Sequence, residues 1–370
     1  MINWLRNIFW LLVWLFPPLT QAAVTVAVIT PRAGVYLTEG TELLAGVQNA
    51  VDEINEDGGL LKQKINILPI DDQCNDNIAV STAQMLSLQK HRNIALVIGP
   101  YCDNALAEVA EIYAQADIVQ IIPNTVSDSH KNTKQKGLIK MLGYSSQQAA
   151  DFFDYYNTHL AGEVIALISN TKNITSIEMA TAIQEQFQKH GKLAMLKNYT
   201  YQQTNKDYES LAAQIVADGV KVAFVTGSAA NIKKIARYLK SEWHDFMIFT
   251  DKYAATKEYF KYLGDDAEGT YFMSLSGQTD DPEFAETMVA LRLSGLETEG
   301  LSLFGYTAVK IWEFLARQAG TFNYAKVAKK INGNKIRTPL GRFIFNTGAP
   351  KNNEKYTIYL YQDSVFHRVY

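Results

Sequence analysis

Residues 97–123 read VIGPYCDNALAEVAEIYAQADIVQIIP, and this stretch decides the fold. It begins as an apolar run, breaks at Gly99 and Pro100, continues over a helix-length segment and ends in a second apolar run. Short apolar runs bounded by turn residues are typical of buried strands, and Gly-Pro pairs separate one element from the next. The stretch therefore predicts a strand–helix–strand unit, with Cys102 at the junction of the first strand and the helix.

The same alternation of strands and helices extends in both directions. Upstream, VTVAVIT at 24–30 precedes a segment with apolar residues at helical spacing, which ends at Gly58 and Gly59. Downstream, a second series begins with a helix at 147–160 and continues to about residue 250. Alternating elements favour parallel sheets covered on both faces, and 370 residues exceed what one hydrophobic core usually holds. We predict an α/β chain of two doubly wound parallel-sheet lobes around a cleft.

The first residues have the plan of a secretory signal peptide. Arg6 precedes the apolar run at 8–16, which ends at Pro17 and Pro18 before a few small residues. That run is well short of the roughly 20 residues needed to span a bilayer, which disfavours a membrane anchor. We therefore expect a cleaved signal peptide at 1–23 and a soluble mature chain in the periplasm.

Charge and motif content argue against several function classes. The net charge of −3 comes from mixed signs without a basic stripe, so no nucleic-acid partner is expected. The sequence has no GxxxxGK[ST] loop, no GxGxxG fingerprint and no GxSxG elbow, and its six histidines lack metal-ligand spacing. We expect no cofactor, no metal site and no enzymatic activity.

The two cysteines, Cys74 and Cys102, allow two interpretations. In an oxidising compartment an even number of cysteines favours a disulfide, which would stabilise the fold by roughly 3–4 kcal/mol through loss of unfolded-chain entropy. The alternative is an exported hydrolase with Cys102 as nucleophile, which needs a free thiol and a nearby base. His91 is the only histidine close to Cys102 in the sequence.

Five motifs in a fixed order resemble those of a known family. They are INEDGGLL at 54–61, PIDDQCNDNIAV at 69–80, the stretch at 97–123, GVKVAFVTGSAANIKKIARYLK at 219–240 and YLGDDAEGTYFM at 262–273. Together they resemble the periplasmic leucine/isoleucine/valine-binding proteins, the type I solute-binding receptors of ABC transporters. The resemblance covers almost the whole mature chain, and in this family the two matching cysteines form a disulfide near the cleft.

The resemblance implies an architecture and a function. Lobe one would comprise 24–143 and 275–353, and lobe two 144–274 and 354–370, joined by crossovers and closing on a solute like a hinged clamp. The implied function is to bind a small polar solute and deliver it to an inner-membrane ABC permease, as a monomer and without covalent chemistry. The alternative on the same fold is a sensory or accessory receptor that signals occupancy to another membrane partner.

Candidate site positions follow from the predicted topology. In open parallel sheets, ligands bind beyond the carboxyl ends of the strands. The segments at these ends are 32–36, 101–103, 124–126, 170–174, 227–229 and 251–253. Tyr101 and Cys102 belong to this set.

Matching single positions to the family refines these candidates. Family members hold a ligand carboxylate with a serine after the second cysteine and a threonine beyond the fourth strand. The matching positions here are Asp103 and Val126, with Asn124 and Thr125 beside them. Because an aspartate repels a carboxylate, Asp103 suggests a solute with a donor or cationic group facing lobe one.

In lobe two the matched positions also depart from the family pattern. An aromatic that packs on the ligand is matched by Ile174, and a tyrosine by Ser228. The glutamate that pairs with the ligand ammonium falls at Lys252, or at Asp251 with a shift of one residue. The scaffold thus matches the family, whereas the contacts do not favour a branched-chain amino acid.

Overall fold

The computed structural model describes residues 23–89, 92–124, 126–202, 205–251, 254–275, 282–296, 298, 300–350 and 356–370. Residues 1–22 of the predicted signal peptide and the site candidates Thr125 and Lys252 lie outside the described residues. Among the helices within these ranges, none has the length and apolar character required to cross a bilayer.

Strands and helices alternate along most of the chain, as predicted. The strands are β1 (Val24–Ile29), β2 (Ile65–Ile70), β3 (Ile94–Ile98), β4 (Val119–Ile122), β5 (Leu138–Lys140), β6 (Ile165–Asn170), β7 (Leu196–Tyr201), β8 (Val222–Val225), β9 (Met247–Asp251), β10 (Thr270–Leu275), β11 (Lys335–Thr338), β12 (Gly341–Asn346), β13 (Ala349–Pro350), β14 (Tyr356–Gln362) and β15 (Val365–Arg368). The α-helices are α1 (Leu37–Glu56), α2 (Asp76–Leu88), α3 (Leu106–Gln115), α4 (Ser145–His159), α5 (Ile174–Lys189), α6 (Asn205–Ala217), α7 (Ala229–Glu242), α8 (Lys257–Leu263), α9 (Ala285–Leu293), α10 (Leu301–Ala319) and α11 (Tyr324–Ala328).

The first lobe is built on a five-stranded parallel sheet in the order β2-β1-β3-β4-β5. Every residue of β1 is buried, because helices cover both faces of the sheet. Helix α1 turns Leu43, Val47, Val51 and Ile54 inward at the predicted spacing. The side chain of Asn55, near the end of α1, then bonds the backbone of the first residue of β2, which fixes the connection.

The second lobe is built on a seven-stranded sheet in the order β15-β14-β10-β9-β8-β6-β7. Strands β6 to β10 are parallel, whereas β14 and β15 pair in antiparallel fashion at one edge. These two edge strands come from the C-terminal end of the chain. The second sheet is therefore completed only after the chain has passed through other parts of the structure.

One of those parts is α10, which packs along α1 of the first lobe at very short range. A Cβ atom at Gly46 would lie 1.8 Å from the carbonyl oxygen of Ser302, and one at Gly305 would lie 2.2 Å from that of Leu43. Side chains at these positions would therefore force the helices apart. The absence of side chains at Gly46 and Gly305 therefore allows α1 and α10, which are far apart in sequence, to pack side by side.

The structure differs from the prediction at the ends of elements, in one small sheet, and at the edge of the second sheet, where β14 and β15 are antiparallel. The helix predicted at 147–160 spans Ser145–His159. Residues 193–195 form a 3₁₀ turn, so that β7 starts at Leu196. Strands β11 to β13 form a separate three-stranded antiparallel sheet. Its hairpin pairs β11 with β12, which begins at Gly341.

Candidate functional site

A cavity of about 50 Å³ lies between the two lobes, near the carboxyl ends of strands of both sheets. Residues of both lobes line it: Tyr36, Tyr101, Cys102 and Asn124 from the first, and Ser145, Gln148, Asn173, Thr175, Ser176, Met179, Thr226, Gly227 and Asp251 from the second. This is the location that the topology of open parallel sheets favours for a ligand. The volume is enough for roughly three to five water molecules, so the lobes stand close together.

The wall from the first lobe follows β3 and β4. Tyr101 and Cys102 come directly after the Gly-Pro break, and the ring of Tyr36 lies 5.9 Å from that of Tyr101. The side-chain amide of Asn124 donates a 2.8 Å hydrogen bond to the carbonyl oxygen of Tyr101. The predicted disulfide between Cys74 and Cys102 is present and ties this wall to the loop after β2.

The second lobe contributes a carboxylate held by an amide. Gln148, in the first turn of α4, donates a hydrogen bond from Nε2 to Oδ1 of Asp251, at the end of β9. Burial raises the pKa of Asp251 to about 6, and the bond from Gln148 opposes this rise. Oε1 of Gln148 is buried and, among the described residues, has no hydrogen-bond partner. Two side-chain acceptors therefore lie together on this wall.

The start of α5 forms the adjoining part of the same wall. Asn173 caps the helix by accepting a 2.6 Å hydrogen bond from the backbone N–H of Ser176. The hydroxyl of Ser176 lies 2.6 Å from that of Thr226 at the end of β8, so the helix is fixed to the sheet. Helix N-termini carry partial positive charge, which favours acceptor or anionic groups nearby.

The lining combines polar side chains with a surface that is more apolar than polar. Hydroxyl and amide groups predominate, with one carboxylate and the apolar surfaces of Tyr36, Tyr101 and Met179. Lysine, arginine and histidine are absent from the described residues that line the cavity. Nor do the described ranges contain a group of three or more His, Cys, Asp or Glu side chains placed to hold a metal ion.

The structure brings together four of the site candidates selected from the sequence. Tyr101, Cys102, Asn124 and Asp251 line the cavity. Tyr36, Asn173 and Gly227, which also line it, fall within the predicted strand-end segments. These positions follow from topology alone, because each comes directly after a parallel strand or opens the next helix.

Four other candidates lie away from the cavity lining. Asp103 is 2% exposed, and its Oδ2 accepts a 2.7 Å hydrogen bond from the backbone N–H of Ser127, so its carboxylate holds a loop. Val126 is fully buried in the core of the first lobe, and Ile174 is 45% exposed. Ser228 is buried at the start of α7. We expected Asp103 to face the solute, whereas its side chain is buried and faces the loop at Ser127.

Sequence reasoning missed several lining residues on helices. Ser145 and Gln148 lie in the first turn of α4, whereas Ser176 and Met179 lie within the first two turns of α5. Their signal is positional, since helices that follow parallel strands begin at the same edge as the strand ends. Extending the segment 170–174 by two helical turns would have included Ser176 and Met179, whereas Ser145 and Gln148 follow β5, whose strand end was not among the candidate segments.

The comparison with protein families decides the classification. The family described as periplasmic binding protein matches residues 23–363. The chain belongs to this family. The match covers both lobes, including the late segments that complete them. It confirms both the resemblance seen in the sequence and the predicted fold class.

Relatives of this periplasmic binding protein span nearly its full length. An amino acid binding protein of Pseudomonas aeruginosa is 24% identical over 92% of this chain and 91% of its own. A Leu/Ile/Val-binding protein, BraC3, of Rhizobium johnstonii is 24% identical over 94% of each chain. Both alignments thus cover nearly the whole of each chain.

Solved structures of similar fold include proteins with different ligands. A leucine binding protein of Thermotoga maritima superposes with a TM-score of 0.80 at 16% identity, covering 94% of this chain and 98% of that chain. A solute binding protein of R. palustris in complex with benzoate has a TM-score of 0.81 at 15% identity, covering 94% of this chain and 95% of that chain. The shared fold of the periplasmic binding protein thus accompanies ligands of different chemistry.

Proposed function

We propose that this periplasmic binding protein captures a small polar solute between its lobes and delivers it to an inner-membrane ABC permease. The observation that carries the proposal is the cavity between the lobes, which polar and apolar side chains of both lobes line. A site divided between two lobes is complete only when they close. Closure therefore couples solute binding to a change of shape that a membrane partner can recognise.

The lining favours an amino acid or a related solute. Asp251 and Oε1 of Gln148 together offer acceptors for an ammonium or amide group. The nearby start of α5 favours an acceptor or anionic group at the other end of the solute. Relatives named as amino acid binding proteins support this solute class.

The proposed lobes comprise 24–143 with 275–353, and 144–274 with 354–370. The sheet order supports this division, because β1 to β5 lie in one sheet whereas β6 to β10, β14 and β15 lie in the other. The close packing of α10 on α1 supports the assignment of the late helix to the first lobe. The segments that cross between lobes are then the hinge of the clamp.

The proposal also includes the cellular location of the protein and its oligomeric state. Family membership implies the periplasm, and we propose export by a cleaved signal peptide and action as a monomer. The disulfide supports an oxidising compartment. It also occupies the sulfur that a hydrolase with Cys102 as nucleophile would need, which favours binding over catalysis.

Native mass spectrometry of the protein purified from periplasm tests this function, because a bound solute appears as added mass. A thermal-unfolding screen of amino acids, amides and amines then identifies the solute class, since a ligand at 100 times its Kd adds about 2.7 kcal/mol. Titration calorimetry with the identified compound compares the wild type with Asp251→Asn and with the exposed control Asp265→Asn. We expect weaker binding only for the Asp251 variant.

Two results would contradict the proposal. One is the absence of any co-purified solute together with no stabilisation by the whole panel. The other is solute binding that both variants retain unchanged, which would place the site away from the cleft.

A further inference from the structure

A buried carboxyl group joins the two lobes beside the cleft. Glu39, in the first turn of α1, is 1% exposed. Its Oε1 accepts a 2.9 Å hydrogen bond from the backbone N–H of Ala229, the first residue of α7 in the second lobe. Buried carboxylates are uncommon because ions lose their hydration, so a residue of this kind between two moving bodies calls for an explanation.

The start of α7 lacks the capping interaction that its own sequence would provide. Ser228 is the N-cap residue and has extended backbone angles, yet its side chain makes no capping hydrogen bond. A serine there normally accepts from the first turn of its own helix. Here the carboxyl of Glu39 takes this role from the opposite lobe.

Tight local packing fixes Glu39 in position. A Cβ atom at the neighbouring Gly40 would lie 1.8 Å from the carbonyl oxygen of Pro31, so the start of α1 lies directly against the loop after β1. The carboxyl therefore belongs rigidly to the first lobe. It can reach Ala229 only while the lobes are close.

We propose that Glu39 is a latch between the lobes: its carboxyl caps α7 when the cleft closes and takes up a proton as it does so. The proposal rests on the clamp function above, since it assumes that the lobes open and close. When they separate, the carboxyl returns to water and α7 loses its cap. Glu39 is thus a positioning residue for closure, outside the solute cavity.

The environment of the carboxyl favours its neutral form in the closed state. Oε2 is buried and receives no hydrogen bond from the described residues, so no donor there stabilises a negative charge. Burial raises the pKa of Glu39 to about 7, and Glu258 of α8 adds to the rise. The backbone N–H of Ala229 and Lys233 of α7 lower this pKa. Tyr36, just before α1, also interacts electrostatically with the carboxyl.

The direction of the pH effect follows from the two states. An exposed glutamate in the open state has its ordinary pKa of 4.5, whereas the closed state has a pKa of about 7. The closed state therefore binds the proton more tightly, and closure becomes more favourable as the pH falls through 7. Between pH 8 and pH 6 the ratio of closed to open molecules should rise about tenfold through this group alone.

Glu42, one turn further along α1, supplies a matched control. Its Oε2 accepts a 3.3 Å hydrogen bond from the backbone N–H of Leu301, the first residue of α10. This interaction has the same chemistry and starts from the same helix, but both partners belong to the first lobe. Glu42→Gln therefore changes a helix-terminal contact without affecting the distance between lobes.

The test measures lobe separation in the full mature chain without added solute. Spin labels are attached at Leu88→Cys in the first lobe and Leu193→Cys in the second, both exposed. Pulsed electron paramagnetic resonance then gives the distribution of distances between the two labels. We compare the wild type, Glu39→Gln and Glu42→Gln at pH 8 and pH 6. The glutamine retains a carbonyl for the N–H of Ala229 and cannot titrate.

Between pH 8 and pH 6 the ratio of closed to open molecules should rise about tenfold more in the wild type and in Glu42→Gln than in Glu39→Gln. Other interlobe carboxyls, such as Glu178 beside Ser127, contribute equally to all three proteins. An equal pH response in the wild type and Glu39→Gln would overturn the latch, and so would lobes that never move. Lobes that never move would also overturn the proposed clamp, whereas an equal pH response in lobes that do move would overturn the latch alone and leave the solute-binding proposal standing.

Discussion

Replacing Asp251 by asparagine should stabilise the solute-free protein while weakening solute binding. The carboxyl lies in the cleft with Gln148 as its hydrogen-bond partner, and burial raises its pKa to about 6 from an ordinary 3.8. Well above pH 6 the folded chain therefore holds a carboxylate that would be better solvated after unfolding. The difference between the two pKa values corresponds to about 3 kcal/mol of lost stability at pH 8.

The sign of the pH dependence follows from protonation. As the pH falls through 6, the folded protein binds a proton before the unfolded chain does, so the cost of the buried charge decreases. Of the roughly 3 kcal/mol, about 1.4 kcal/mol is recovered by pH 5 and nearly all of it below the unfolded pKa. Asparagine has similar size, carries no charge and keeps an oxygen that can accept from Gln148.

Urea unfolding of solute-free protein at pH 8 and pH 5 measures the effect. Asp251→Asn should exceed the wild type by up to about 3 kcal/mol at pH 8, with the gain smaller by about 1.4 kcal/mol at pH 5. Asp265→Asn, at an exposed turn, should match the wild type within about 0.5 kcal/mol at both pH values. A variant no more stable than the wild type at pH 8, or a gain equal at both pH values, would refute the reasoning.

Three further predictions concern the scaffold. Replacing Cys74 and Cys102 together by serine frees a 28-residue loop and should lower the free energy of unfolding by about 3–4 kcal/mol, measured in urea without reductant. Gly46→Ala should cost about 3 kcal/mol, because its methyl group meets the carbonyl of Ser302; a midpoint equal to that of the wild type would contradict the close helix contact. Asp103→Ala, which leaves the backbone N–H of Ser127 without its acceptor, should lower the free energy of unfolding by about 1–2 kcal/mol without changing which solutes bind, and altered solute selectivity in calorimetry would argue against its loop-holding role.

Much of the scaffold could be predicted because its signals are local. Strand β1 is β-branched at every position except Ala27, and α1 carries its apolar residues on one face and is followed by paired glycines. The disulfide followed from two cysteines in an exported chain. The strand and the helix depend on residues close in sequence, and the disulfide depends on the expected oxidising compartment.

The site was harder to predict because it depends on how two lobes approach one another. Topology correctly placed Tyr101 and Asn124 at strand ends that line the cavity. It could not show that Asp103 turns away to hold a loop, since that choice depends on the backbone of Ser127. Glu39 gave no sequence signal at all, because its partner lies in the other lobe.

The antiparallel edge formed by β14 and β15 bears on when the protein can complete its fold. These strands lie within the last fifteen residues, yet they pair with β10 and complete the sheet of the second lobe. A chain interrupted before them would leave the hydrogen-bonding groups along β10 unpaired, which is the kind of exposed edge that recruits other chains. The second lobe therefore cannot protect this edge of its sheet until residues 356–368 have been synthesised and are available to pair with β10.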